Sequence, residues 1–194
     1  MIQQQVATVP TKYPALLKES DAIGFSMPSD RHVGTLLKTL VTTISTGRVL
    51  ELGTGMGLSL AWMVDGLASS GSVISSDNDL ELIEAVQNHF KEDQRVQLIC
   101  VEGGRWLEEY NGPQFDLVFA DAWPGKYSHL DQVLGLVRPG GYYVIDDMKP
   151  QENWPEGHHE KALALMQHLE TRKDLVLTKM DWSTGIILAV KKTN

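Results

Sequence analysis

Between residues 48 and 147 of this 194-residue chain, five short runs of branched apolar residues alternate with segments of helical periodicity. The runs are RVLELG (48–53), SVISSD (72–77), RVQLICV (95–101), FDLVFAD (115–121) and YYVIDD (142–147). Runs of this kind read as strands buried on both faces, which belong in a parallel sheet covered by helices on either side. A helix is expected from about Leu58 to Leu67. Asn78-Asp79-Leu80-Glu81 has the form of a capping box and opens a second, with Leu82, Ile83, Val86 and Phe90 on one face. A short helix runs from Trp106 to Tyr110, and another carries Leu130, Val133, Leu134 and Val137 before Arg138-Pro139-Gly140-Gly141 closes it.

Upstream, Val33, Leu36, Leu37, Leu40, Val41 and Ile44 share one helix face, with Ser29 placed to cap it. Downstream, a helix is expected over His158 to Thr171. The last apolar runs, DLVLTKM and GIILAV, are separated by Asp181-Trp182-Ser183-Thr184-Gly185. That spacing suits a hairpin, which places one antiparallel strand in the sheet. The expected fold is a doubly wound α/β fold, with a mostly parallel seven-stranded sheet and an antiparallel C-terminal strand. It forms one domain over 1–194, divided into an N-terminal helical segment (1–46) and an α/β core (47–194). Apolar residues in the 2–24 segment, among them Tyr13, Leu16, Leu17 and Ile23, are available to cover a neighbouring copy in a homodimer.

Composition narrows the function. A formal charge of −8 with no Lys/Arg run disfavours nucleic acid or an anionic membrane as partner. The N-terminus has no signal pattern, and no apolar stretch approaches the roughly 20 residues of a membrane span. The expected setting is therefore cytoplasmic. The lone Cys100 excludes an internal disulfide and a Cys-rich zinc site, and within an apolar strand it reads as a buried, inert thiol.

Ligands of doubly wound sheets sit outside the carboxyl ends of the strands, where strand order switches. After the first strand stands ELGTGMGLS, with Gly53, Gly55 and Gly57. Glycines there let the chain turn sharply and bring backbone N–H groups against a ligand at a helix N-terminus. Glu51, near the end of a buried strand, is a carboxylate that needs a partner. Asp77 ends the second strand twenty residues past Gly57, where an acidic residue accepts hydrogen bonds from the ribose of an adenosine cofactor. Asn78 follows it on the same rim. A pyrophosphate-binding loop would place glycine at position 58, which here is Leu58. The spacing therefore points to a cofactor without phosphate, S-adenosylmethionine rather than NAD. Ser59 is placed either to bind its carboxylate or to stand exposed on the helix.

These blocks taken together, E-L-G-T-G-x-G-x-S, Asp77, F-D-L-V-F-A-D-A-W, R-P-G-G and V-I-D-D, resemble the class I S-adenosylmethionine-dependent methyltransferases. Within that class the likeness is to the catechol and caffeoyl-CoA O-methyltransferase group, and it runs from about Phe25 to Val190. S-M-P-S-D-R-H-V-G-T-L-L and W-S-T-G-I-I-L-A resemble that group's segment before the first strand and its final hairpin. The resemblance implies a Rossmann-like methyltransferase fold and O-methylation of a small-molecule hydroxyl, of catechol type. It sets Gly104 and Arg105 at the edge of the adenine, with Trp123 lining the acceptor and cofactor pocket. Asp121 becomes a ligand of a divalent cation, its backbone against the methionine end of the cofactor, and Asp146 and Asp147 supply two more ligands.

Carboxylates ending neighbouring strands, about 4.8 Å apart, can meet at one ion. Adjacent residues of a strand face opposite ways, so Asp146 and Asp147 share a metal only if the chain turns there. Three oxygen ligands suit Mg²⁺, which lowers the pKa of a bound hydroxyl. The competing assignment makes Asp121 and Asp147 cap and turn residues, with Asp146 paired to a nearby base. The group's lysine base falls three residues past the strand-four aspartate, where this chain has Pro124. Lys126 either reaches back as the base or stands exposed at the start of the next helix. The alternatives are a metal-independent methyltransferase of the same fold and a non-catalytic S-adenosylmethionine-binding module. His158 and His159 read as solvated cap positions, and His32 as a surface residue. The loop 151–157 reads as an acceptor-side lid with Trp154 as its wall, while Trp62 and Met63 belong to the core.

Overall fold

The computed structural model describes residues 8–44, 46–151 and 154–193. Two helices, α1 (Tyr13–Ala22) and α2 (Arg31–Thr42), precede the sheet. Five strands then run parallel: β1 (Arg48–Leu52), β2 (Ser72–Asp77), β3 (Val96–Cys100), β4 (Phe115–Ala120) and β5 (Val137–Ile145). The terminal pair is β6 (Leu175–Met180) and β7 (Ile186–Lys191), and β7 lies antiparallel between β5 and β6. The order is β3-β2-β1-β4-β5-β7-β6, so it switches between β1 and β4. The connecting helices are α3 (Leu58–Gly66), α4 (Leu80–Phe90), α5 (Gly103–Glu109), α6 (Leu130–Leu136) and α7 (His158–Thr171). Among the described residues no helix is long and apolar enough to cross a membrane.

Strand alternation divides the core into two layers. Val49, Leu117 and Phe119 face one side with Leu37 and Trp62, and Leu50, Val118 and Tyr143 face the other with Leu134 and Leu165. Tyr13 and Leu16 of α1 are buried in the first layer, Tyr13 edge-on to Trp62 at 5.6 Å. They serve this chain's own core, and of the apolar residues expected at a dimer interface Ile23 remains exposed, at 61%.

Several expectations are corrected locally. Asp30, not Ser29, caps α2, its carboxylate accepting the His32 N–H at 2.6 Å. α5 opens three residues early because the Glu102 carboxylate accepts the N–H groups of Gly104 and Arg105 at 3.0 and 2.7 Å. The Arg138–Gly141 segment belongs to β5, which carries a register irregularity against β4. The strand stops at Ile145 and leaves Asp146 and Asp147 beyond its end. Cys100 is exposed, because β3 is the edge strand of the sheet.

Candidate active site

At the end of β1 the chain turns at Gly53, with φ of +102°, and Gly55, with φ of +49°. Both lie in the left-handed region that side chains disfavour. A Cβ on Gly53 would stand 3.0 Å from the Asp121 carbonyl oxygen, so the loop passes directly against the end of β4. Gly53 and Thr54 donate their N–H groups to the Ser76 carbonyl at 2.9 and 3.1 Å, which ties the loop to β2. The Asp77 carboxylate accepts from the Gly55 N–H at 2.9 Å and the Asp79 N–H at 3.1 Å, and so stands upright between the two βα junctions.

Around this loop lies a cavity of about 660 Å³, lined by Gly53 to Met56, Asp77, Asn78, Glu102, Gly103, Asp121 and Trp123. Phe25, Met27 and Ser29, between α1 and α2, cover its outer side. A second cavity of about 310 Å³ adjoins it, with Lys126, Tyr127, Asp146, Trp154, His158 and Thr184 among its walls. The two share Met27, Ser29, Asp121, Ala122, Trp123 and Asp147, which places Asp121 and Asp147 at their junction.

Not every expected cofactor residue reaches this space. Glu51 is fully buried beneath the loop and accepts from the hydroxyls of Ser59 and Ser75, each at 2.5 Å. Burial pushes its carboxyl up to about 8, against those two hydrogen bonds. Glu51 and Ser59 therefore support the glycine loop from below and line neither cavity, and Gly57 lines neither as well. Gly104 packs under His129, and Arg105 points outward to Glu109 at 2.8 Å. Glu102 and Gly103 take the rim that Gly104 and Arg105 were expected to form. His32 packs on Trp182 at 5.5 Å between ring centroids and lines neither cavity.

At the junction the chain turns as a shared acid cluster would require, since Asp147 has φ of +55°. The Asp146 carboxylate accepts from the Asp147 N–H at 2.7 Å and from the Thr184 hydroxyl. Burial and then Asp147 push Asp146 up to about 6. Burial and then Asp146 hold Asp121 well above the usual carboxylate range, and burial raises Asp147. Yet among the described residues no three His, Cys, Asp or Glu side chains are gathered to hold a metal ion.

Lys126 does not open α6, which begins at Leu130. The N–H groups of Lys126, Tyr127 and Ser128 converge on the Trp123 carbonyl at 3.2, 2.9 and 3.2 Å, and this tight turn sends the lysine inward. It is 4% exposed.

His158 is likewise no solvated cap. Its Nε2 lies 3.0 Å from the Tyr127 hydroxyl, and Trp154 stacks on its ring at 4.3 Å. Burial, then Lys126, holds the imidazole below its usual range. Trp154 lines the second cavity, as the lid assignment expects, while Glu152 and Asn153 of that loop lie outside the described residues. Tyr127 and Thr184 carry no site signal in the sequence, and Ser29 and His158 read there only as caps. The contact between Tyr127 and His158 spans 31 residues, and no local pattern marks it.

Fold and cavity define a class: a doubly wound α/β protein whose larger cavity lies at the carboxyl ends of β1, β2 and β4, at the topological switch point where such sheets bind ligands. The profile of the O-methyltransferase family matches residues 17–191, and the chain belongs to that family. An inferred O-methyltransferase of Mycobacterium avium is 32% identical over 119 residues, 58% of this chain and 53% of its own length. The chain thus spans about half the length of the curated relatives it matches. Among solved structures, the O-methyltransferase TomG of Streptomyces achromogenes, in complex with SAM, superposes with a TM-score of 0.84 at 20% identity, covering 97% of this chain and 92% of that one. An O-methyltransferase of Bacillus cereus in complex with SAH gives 0.82 at 18%, covering 96% and 93%. At these identities the likeness shows the fold.

Proposed function

We propose that the protein transfers a methyl group from S-adenosylmethionine to a hydroxyl of a small, catechol-like aromatic molecule. The observation that carries this reading is the pair of cavities meeting at Asp121 and Asp147. The larger suits a nucleoside donor and the smaller a single aromatic ring between Trp123, Tyr127 and Trp154. Family membership supports it, as do the SAM and SAH complexes of the two structural neighbours.

In this reading Asp77 and Asn78 receive the ribose hydroxyls, and the Gly53–Met56 backbone approaches the donor closely. Glu51 and Ser59 brace that loop, and the adenine edge falls to Glu102 and Gly103 rather than to Gly104 and Arg105. Asp121 and Trp123 face the sulfonium end. The acceptor oxygen attacks the methyl carbon in line as the sulfur–carbon bond breaks. The electron pair returns to sulfur, and the hydroxyl proton passes to water at the cavity mouth.

Magnesium assistance would fall to Asp121, Asp146 and Asp147. As they stand these residues do not fit the ion: one Asp146 oxygen is committed to Thr184 and the Asp147 N–H, and the three are not gathered as a ligand set. The same reading takes the chain over 1–194 as one cytoplasmic methyltransferase domain. Exposed Ile23 is the apolar surface open to a second copy in a homodimer.

Calorimetric titration with S-adenosylhomocysteine tests the donor site. The wild type is expected to bind, and Asp77→Ala to bind about tenfold or more weakly through loss of charged hydrogen bonds to the ribose. A labelled methyl donor with a panel of catechols then tests the transfer. Binding of NADH without S-adenosylhomocysteine would overturn the assignment.

A further inference from the structure

Lys126 is a buried cation whose neighbours leave it open. Its side chain is 4% exposed and lines the second cavity together with Asp121, Asp146 and Asp147. Among the described residues its ammonium makes no hydrogen bond or ion pair. It lies 5.2 Å from the centroid of the Tyr127 ring. All three carboxylates nonetheless feel its charge, which lowers each of them against the effect of burial. The turn that aims it inward favours glycine: Gly125 has φ of +85°, and a Cβ there would stand 2.4 Å from a Leu52 methyl.

An ammonium and three carboxylates that face one cavity without closing on one another leave a space with a donor on one side and acceptors on the other. A hydroxyl satisfies both, its oxygen accepting from the ammonium while its O–H donates to a carboxylate. The ammonium already supplies a cation to that space, and a divalent ion there would have to share the three carboxylates with it. The flanking rings of Trp123, Tyr127 and Trp154 select a planar carrier for that hydroxyl.

We propose that Lys126 holds the acceptor's phenolic hydroxyl between its ammonium and the carboxylate floor of the second cavity, filling from the chain the place of a divalent cation. This rests on the donor assignment made above. It makes Lys126 a catalytic residue that touches the acceptor oxygen, with binding of the phenol independent of magnesium.

The test uses full-length wild type, Lys126→Met and Lys126→Arg, each treated with EDTA and saturated with S-adenosylhomocysteine. 4-Nitrocatechol is then titrated in, followed by calorimetry and by the absorbance of its ionised form. The wild-type complex is expected to bind the probe saturably in EDTA, and added magnesium chloride to change the affinity by less than about threefold. Lys126→Met keeps its affinity for S-adenosylhomocysteine but binds the probe about tenfold or more weakly, the loss of one charge-assisted hydrogen bond. Lys126→Arg recovers most of that loss, which a merely structural role for the lysine would not produce. Absence of saturable probe binding to the wild-type complex overturns the proposal. So does a magnesium-dependent gain of about tenfold or more, or unchanged probe affinity in Lys126→Met. If Lys126→Met fails to melt cooperatively, the wild-type magnesium arm and Lys126→Arg decide. Failure of the wild type to bind S-adenosylhomocysteine overturns the donor assignment and this proposal together, and is separated from the other outcomes by being read first.

Discussion

Glu51 shows how one residue can carry a signal that is correct in kind and displaced in meaning. A carboxylate at the end of a buried strand marks a spot where something must satisfy it, and what satisfies it is Ser59 and Ser75. Its carboxyl sits at about 8 in the folded chain against an ordinary 4.5, so the folded state holds a proton that the unfolded state releases. Stability contributed by that proton is fully present below about 4.5 and is lost as pH rises toward 8. Asp146, at about 6, acts with the same sign over a narrower span. Thermal melts from pH 5 to 9 are therefore expected to show a falling wild-type midpoint. Glu51→Gln, which cannot titrate, should flatten that fall, with a difference on the order of a few kcal/mol at the alkaline end. Equal slopes for the two proteins would mean that the Glu51 carboxyl is not the titrating group.

Among the elements, those with chain-local signals lie where those signals put them. β2 spans Ser72–Asp77 and α7 spans His158–Thr171, as the apolar periodicity and flanking turns indicate. The α4 start lies one residue later than the capping box Asn78–Glu81 would put it, since Asp79 rather than Asn78 is the cap and its carboxylate accepts the N–H groups of Glu81 and Leu82 at 2.9 and 3.3 Å. Asp79→Ala is expected to cost about 1 kcal/mol, read as a lower urea midpoint with an unchanged slope. Element edges failed where a neighbouring strand intervened. Arg138-Pro139-Gly140-Gly141 looks like a helix stop followed by a turn, but pairing with β4 recruits it into β5. The Trp123–Ser128 turn gave no hint of direction, because whether Lys126 faces water or the cavity depends on the close packing of Gly125 against Leu52, 73 residues earlier in the chain.

For the molecule as a whole, the two N-terminal helices are part of the site as well as of the core. α1 packs on α3 through Tyr13 and Trp62, and the segment that follows it lays Phe25, Met27 and Ser29 over the larger cavity. Tyr13→Ala is expected to destabilise the fold by about 3 kcal/mol, as for other large aromatics removed from a core, measured by urea unfolding. It should also weaken S-adenosylhomocysteine binding, because the covering segment is anchored by that helix. Full affinity in a destabilised Tyr13→Ala would separate the cover from its anchor. By itself the sequence determined the alternation of strands and helices, the antiparallel final strand, the glycine loop and the Asp77 rim. All of these are written in periodicities and spacings of a few residues, which backbone geometry reads locally. Only the tertiary structure decided that Glu51 and Ser59 lie beneath the loop and that Lys126 turns inward. It alone also brought His158 to Tyr127 and set the three aspartates on one cavity without arranging them as metal ligands. Those outcomes depend on which distant surfaces exclude water from which side chains, and burial is a property of the packed chain rather than of any window along it.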